Sequence, residues 1–208
     1  MPLAVLFRDL QLAVVDKPAG LAVDEDVLPL AARELAPPGG RSWPRVVHRL
    51  DRGTSGCLLL ALRKGAETAL KSAFEEKRVE KAYLALVQGS PPDRAELDTP
   101  YGQKKNNRYE FTTHVITARR ARLRYQVVER LREAALLRVD LDTGRTHQIR
   151  VQLAESGFPV FGDESYGGPQ ASRLMLHAER LVFPHDGRVV ECVAPLPDDL
   201  RAALVQLR

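Results

Sequence analysis

Apolar residues along this chain recur mostly at every second position, with three-to-four spacing in only a few places, which predicts runs of strands with helices set between them. Residues 10–16 read as a first strand, closed by Lys17-Pro18-Ala19-Gly20, where Pro18 and Gly20 force a turn. Val27, Leu30, Ala31 and Leu35 have helical spacing that stops before Pro37-Pro38-Gly39-Gly40, and the stretch through Trp43 reads as a loop. Residues 58–62 form an apolar strand, and 66–78 an amphipathic helix carrying Leu70, Ala73, Phe74 and Lys77 among charges. Alternation over 80–88 predicts a strand buried on both faces, ended by Pro91-Pro92.

Residues 100–120 are polar and weakly periodic, and read as a loop or a hairpin excursion. The next two stretches, 121–129 and 135–142, place Leu123, Tyr125 and Val127, then Leu137, Val139 and Leu141, on single faces, as an antiparallel hairpin does. Over 146–156 the Ile149/Leu153 spacing and the stop at Gly157 with Pro159 beyond predict a helix, although Ile149, Val151 and Leu153 also alternate as in a strand. Short strands over 174–178, 181–183 and 189–193 precede a last helix after Pro197-Asp198-Asp199. The sum is an α+β fold with a mainly antiparallel or mixed sheet and peripheral helices.

Length changes the picture little: 208 residues suit one catalytic domain over 1–208, with room for a sizeable core. No apolar run approaches a membrane span and the N-terminus lacks the pattern of a signal peptide, so the expected compartment is the cytoplasm, without a membrane. Cys57 and Cys192 lack metal-ligand spacing and read as small buried hydrophobes. Net charge is only +4, but the arginines concentrate between Arg119 and Arg150, just after Lys104-Lys105-Asn106-Asn107-Arg108. That cluster is either a footprint for a polyanion or a solvated strand face.

Candidate chemistry lies in two runs. His48-Arg49-Leu50-Asp51-Arg52-Gly53-Thr54-Ser55-Gly56 sets one carboxylate among two arginines in a glycine-bearing turn, which suits a nucleophile or a general base. The same residues are compatible with an aspartate that merely caps a turn and pairs with an arginine. A kinase catalytic loop is excluded by the residue order and by the missing Asp-Phe-Gly and glycine-rich segments. Thr143-Gly144-Arg145-Thr146-His147-Gln148-Ile149-Arg150 is the second run. His48, His147 and His177 do not make a metal set by spacing.

The first run, followed by its apolar strand, closely resembles the catalytic motif of the RluA-type RNA pseudouridine synthases, in their short form without an N-terminal S4 domain. Four more segments agree in order: Val14 to Leu21, Lys81 to Gly89 with Tyr83, the Thr143 to Arg150 run with Pro159 to Gly167 after it, and Arg173 to Ala178. The resemblance implies a pseudouridine synthase-like fold around a central RNA-binding cleft, no cofactor, no metal, and a monomer acting on rRNA or tRNA. It implies that Asp51 acts on the ribose C1′ or on the uracil ring of a flipped uridine. Arg150 then matches the arginine that pairs with the catalytic carboxylate, and Tyr83 the tyrosine that stacks on the base. Leu176 matches an apolar contact under the ring, and Arg49 a side chain filling the vacated space. Arg52, Arg145, His48 and His147 are expected as RNA contacts, the histidines alternatively as structural hydrogen-bonders. Two departures, Ala22-Val23-Asp24 in place of a usual histidine and Leu123 in place of a usual threonine, bear on the RNA-facing rim. Asp163 reads as an Asx-type turn. The rival expectations are a ribosome-assembly or RNA-binding factor that keeps the fold without chemistry, and a carboxylate-based nucleoside hydrolase.

Overall fold

The computed structural model describes residues 2–35, 44–104, 107–114 and 119–208; the loop read through Trp43 and parts of the 100–120 excursion, Lys105 and Asn106 among them, lie outside the described residues. In chain order the first elements are β1 (Ala4–Arg8), β2 (Leu12–Lys17), a π-helical turn (Val23–Val27), α1 (Leu28–Glu34), β3 (Arg45–Val46), β4 (Ser55–Ala61) and α2 (Lys64–Glu75). They are followed by β5 (Glu80–Gln88), β6 (Arg94–Lys104), β7 (Asn107–Thr112), β8 (Arg119–Leu131), β9 (Ala134–Leu141) and α3 (Gln148–Glu155). A 3-10 turn (Glu164–Tyr166), β10 (Leu176–His185), β11 (Arg188–Val193) and α4 (Asp198–Leu207) complete the chain. The α+β class is as the sequence pattern predicts. Among the described residues no helix is long and apolar enough to cross a membrane.

Two compact units form, one from Met1–Lys81 with Ala178–Pro195 and the other from Ala82–His177 with Leu196–Arg208. The first unit carries the strand order β1-β2-β4-β10, with β11 on β10 and β3 on β4. β2 and β4 are antiparallel, Val14 opposite Leu59 and Lys17 opposite Gly56, and both are buried on both faces, hence their unbroken apolar sequences. Leu12, Val14, Leu59, Leu181 and Phe183 pack against Ala66, Leu70 and Ala73 of α2, and each large side chain fully buried there contributes about 1.5–3 kcal/mol. Cys57 and Cys192 sit in this core as free thiols, with burial pushing Cys57 up to about 12 and Cys192 to about 11. Gly56 is fixed by sterics: at φ +109 a Cβ would lie 2.2 Å from the Ala178 oxygen.

The second unit is an antiparallel sheet in the order β5-β9-β8-β6-β7. The predicted β8/β9 hairpin is present, longer than its apolar positions suggest and interrupted by an irregularity between Val127 and Glu129. The 100–120 excursion includes a hairpin, β6 with β7, and its outgoing strand starts at Arg94. That start is masked in the sequence by polar residues, because one face of β6 is exposed and the other only partly covered. β1 is likewise a short, half-exposed strand that the sequence pattern missed. The stretches 174–178 and 181–183 merge into the single strand β10.

Helix wins over strand for 146–156. α3 has Gln148 through Leu153 all buried, so no polar stripe marks its face, and its two buried amides connect it to the sheet. Gln152 Nε2 donates to Thr99 Oγ1 at 2.8 Å and to the Ala121 oxygen at 3.1 Å, while Gln148 Nε2 reaches the Arg122 oxygen at 3.1 Å. Satisfied amides of this kind fix a helix to a sheet in one register.

The arginine-rich stretch resolves into a cross-strand ion-pair ladder. Arg120 pairs with Asp98, Arg122 with Glu96 and Asp142, Arg124 with Asp142, and Arg130 with Asp93. The register, Asp98 opposite Arg122 and Glu96 opposite Arg124, brings acids from β6 beside arginines of β8. The charge of these arginines is therefore matched locally, as on a solvated strand face.

Candidate active site

In the first unit the Asp51 run is the connection from β3 to β4, and it is tied down from three sides. His48 Nε2 accepts the Leu59 N–H at 2.9 Å, and its ring stacks on Phe74 with centroids 5.0 Å apart. Burial and then the nearby Lys81 charge pull the His48 imidazole down to about 3, so it is neutral, with its proton on Nδ1. The Thr54 N–H donates to the Asp51 oxygen at 3.0 Å, closing a turn that leaves Asp51 half-buried.

Beneath that turn lies Lys17, whose side chain is wholly buried. Its Nζ donates to the oxygens of Pro18 and Leu21, each at 2.8 Å, and of Arg52 at 3.2 Å. The Arg52 oxygen also accepts the Gly20 N–H at 2.8 Å. The turn after β2 and the turn before β4 are thus joined as one piece.

The two arginines that bracket Asp51 are exposed and face a single acidic π-helical turn. Arg49 Nη1 lies 2.6 Å from Asp24, and Arg52 lies 2.8 Å from Glu25 and 3.3 Å from Asp26.

In the second unit the residues cluster around the start of α3. His147 precedes the helix with φ +57, a left-handed conformation unusual for a side chain of this size, and its Nδ1 lies 2.9 Å from Tyr166 Oη. Phe111 meets the His147 ring edge-on and stacks on Tyr101, whose hydroxyl donates to the Thr146 oxygen at 2.6 Å. Arg145 is held through its N–H to Gln148 Oε1 at 3.0 Å and through Nε to the Arg120 oxygen at 3.2 Å. Arg150, on the next turn, is buried and makes a two-pronged pair with Asp163 at 2.7 and 2.8 Å. Its guanidinium carbon lies 5.0 Å from the Tyr166 ring centroid.

Tyr83 sits on β5 opposite Val139 of β9, and Leu176 opens β10; both are buried. The structure therefore brings His48, Arg49, Asp51 and Arg52 together in the first unit, and Arg145, His147 and Arg150 together in the second. Asp163 corrects the sequence reading: its carboxylate bonds Arg150 and makes no side-chain cap on its own turn. Sequence reasoning also passed over Lys17, Tyr166 and the Asp24–Asp26 acids as contributors. The signal for Lys17 was a lysine ending an otherwise apolar strand.

Comparison with known proteins relates the chain to a family. Residues 11–155 match the family described as RNA pseudouridylate synthase. An uncharacterized RNA pseudouridine synthase of Mycobacterium bovis is 38% identical over 99% of this chain and 73% of its own length. A ribosomal large subunit pseudouridine synthase D of Nitrosomonas europaea is 37% identical over 100% of this chain and 66% of its own length. Among solved structures, human RNA pseudouridylate synthase domain containing 1 superposes with a TM-score of 0.84 at 29% identity, covering 94% of this chain and 84% of that one.

Proposed function

Since the chain belongs to the RNA pseudouridylate synthase family and is an RNA pseudouridine synthase, we propose that it isomerises a uridine in a structured segment of ribosomal RNA, with Asp51 as the catalytic carboxylate. The observation that carries the assignment of Asp51 is its turn: a half-buried carboxylate between two exposed guanidinium side chains, on backbone anchored by Lys17, Gly20 and His48. Large-subunit ribosomal RNA is favoured as substrate by the names that relatives carry.

The reaction conserves atoms and redox state. The N1–C1′ bond breaks, the C5–C1′ bond forms, C5 loses a proton and N1 gains one. A stacked uridine exposes neither C1′ nor C5 to a side chain, so the nucleotide is flipped out at a cost of about a few kcal/mol, offset by stacking and by groups that fill the gap. In this reading Tyr83 stacks on the base and assists removal of the C5 proton, Leu176 supports the ring, and Arg150 stabilises the carboxylate. Arg49, Arg52 and Arg145 meet the RNA backbone, with Arg49 filling the vacated space. His48 and His147 hold the two runs in shape.

The test is conversion by purified protein of unmodified large-subunit ribosomal RNA transcripts, read at base resolution, with free uracil assayed in parallel. Pseudouridine without uracil is expected. Uracil release would favour the hydrolase, and RNA retention with neither product would favour the non-catalytic binding factor.

A further inference from the structure

Asp163 has no part in the reaction as assigned, yet it is the most constrained carboxylate near α3. Its side chain is fully buried and that of Arg150 is 11% exposed, with Nε bonded to Oδ2 and Nη2 to Oδ1. Its main chain is fixed as well: the N–H donates to the Val160 oxygen at 3.1 Å and the oxygen accepts the Gly168 N–H at 2.8 Å. A Cβ at Gly162 would lie 1.8 Å from the Arg173 oxygen, and one at Gly168 would lie 1.9 Å from the Val160 oxygen. The Tyr166 ring covers the guanidinium, and its hydroxyl is itself held by His147.

A buried ion pair is a poor device for stability, because desolving both charges offsets most of their attraction. A fork-to-fork pair is a good device for direction, because two parallel hydrogen bonds fix the guanidinium plane. We propose that Asp163 is a positioning residue. It locks the guanidinium plane of Arg150 in one orientation during the reaction. This rests on the assignment of Arg150 to the reaction. Asparagine cannot substitute, since its NH₂ group would oppose one of the two arginine donors.

Two readouts on the full-length protein test this, one of them independent of activity. In arginine-labelled protein, the Arg150 Nε–H resonance, assigned through Arg150→Lys, should exchange slowly in the wild type and rapidly in Asp163→Asn. With total RNA from cells lacking the gene as probe, the single-turnover rate of pseudouridine formation should fall about 10²-fold in Asp163→Asn while RNA retention on filters is kept, as expected for a misplaced catalytic partner. Asp163→Glu keeps both acceptor oxygens one methylene further out, and serves if the asparagine variant does not fold; a smaller loss in the same direction is expected. An unchanged Arg150 resonance in these variants overturns the proposal, as does a mobile Arg150 with an undiminished rate. A wild-type protein that converts no uridine removes the reaction on which the proposal rests, even where the resonance behaves as described.

Discussion

The buried ammonium of Lys17 lies 3.2 Å from the main-chain oxygen of Arg52, the residue that follows Asp51. One side chain thereby ties the end of β2 to the turn that carries the carboxylate. Replacing Lys17 by Met keeps the bulk and leaves the oxygens of Pro18, Leu21 and Arg52 without that donor. The expected loss is about 3 kcal/mol in urea unfolding, in the range for removing one partner of a buried polar network. The single-turnover rate of the surviving folded protein should fall as well, since the Asp51 turn loses its anchor.

Gly56 separates sterics from chemistry. Gly56→Ala places a methyl 2.2 Å from the Ala178 oxygen at φ +109, so the backbone itself must shift, and a loss of about 3 kcal/mol or more is expected. At Gly65, near the start of α2, an added methyl would meet nothing within 4 Å, and Gly65→Ala should be neutral or stabilising by about 0.5 kcal/mol. Thermal melts of the two variants provide the comparison.

His48 makes the stability of the fold sensitive to acid. Its folded value, about 3, lies below its unfolded value of 6.5, so unfolding takes up a proton between those limits. Its contribution is present above pH 6.5 and declines as pH falls toward 3, with a slope of at most about 1.4 kcal/mol per pH unit. Protonation also ends the acceptance of the Leu59 N–H by Nε2. In His48→Gln the fall in melting temperature between pH 7 and pH 5 should be shallower than in the wild type.

Under the roles proposed for Arg49 and Arg52, the acidic turn would compete with RNA for both arginines. Asp24→Asn with Glu25→Gln leaves Arg49 and Arg52 less neutralised, so RNA affinity should rise and the salt dependence of binding should steepen by about one to two counterions. Stability should change by no more than about 1 kcal/mol, because these pairs are exposed. Filter binding across a salt series checks the first outcome, and chemical unfolding the second.

How far the sequence reveals this molecule depends on what each signal measures. Alternation and apolar runs revealed β2, β4, β5, β8 and β9, because these strands are buried on at least one face. β1 and the start of β6 escaped because their faces are only partly covered, so polar residues there are tolerated. The 146–156 stretch was ambiguous because α3 is buried all round, with Gln148 and Gln152 satisfied inside rather than facing water. Asp51, Tyr83 and Arg150 were singled out through ordered motifs. The Arg150–Asp163 pair was not, since two residues thirteen apart meet only once a turn brings them together. The arginine cluster was ambiguous because composition counts charge, whereas the β6/β8 register decides that Asp98, Glu96 and Asp142 lie beside Arg120, Arg122 and Arg124.

The central claim is that Asp51 is the catalytic carboxylate of a uridine isomerase. Base-resolved pseudouridine mapping of ribosomal and transfer RNA from cells with the gene intact, deleted, or carrying Asp51→Asn tests it most directly. The account predicts the same sites lost in the deletion and in the variant, with the purified variant still binding RNA. A variant that restores those sites in full would contradict it.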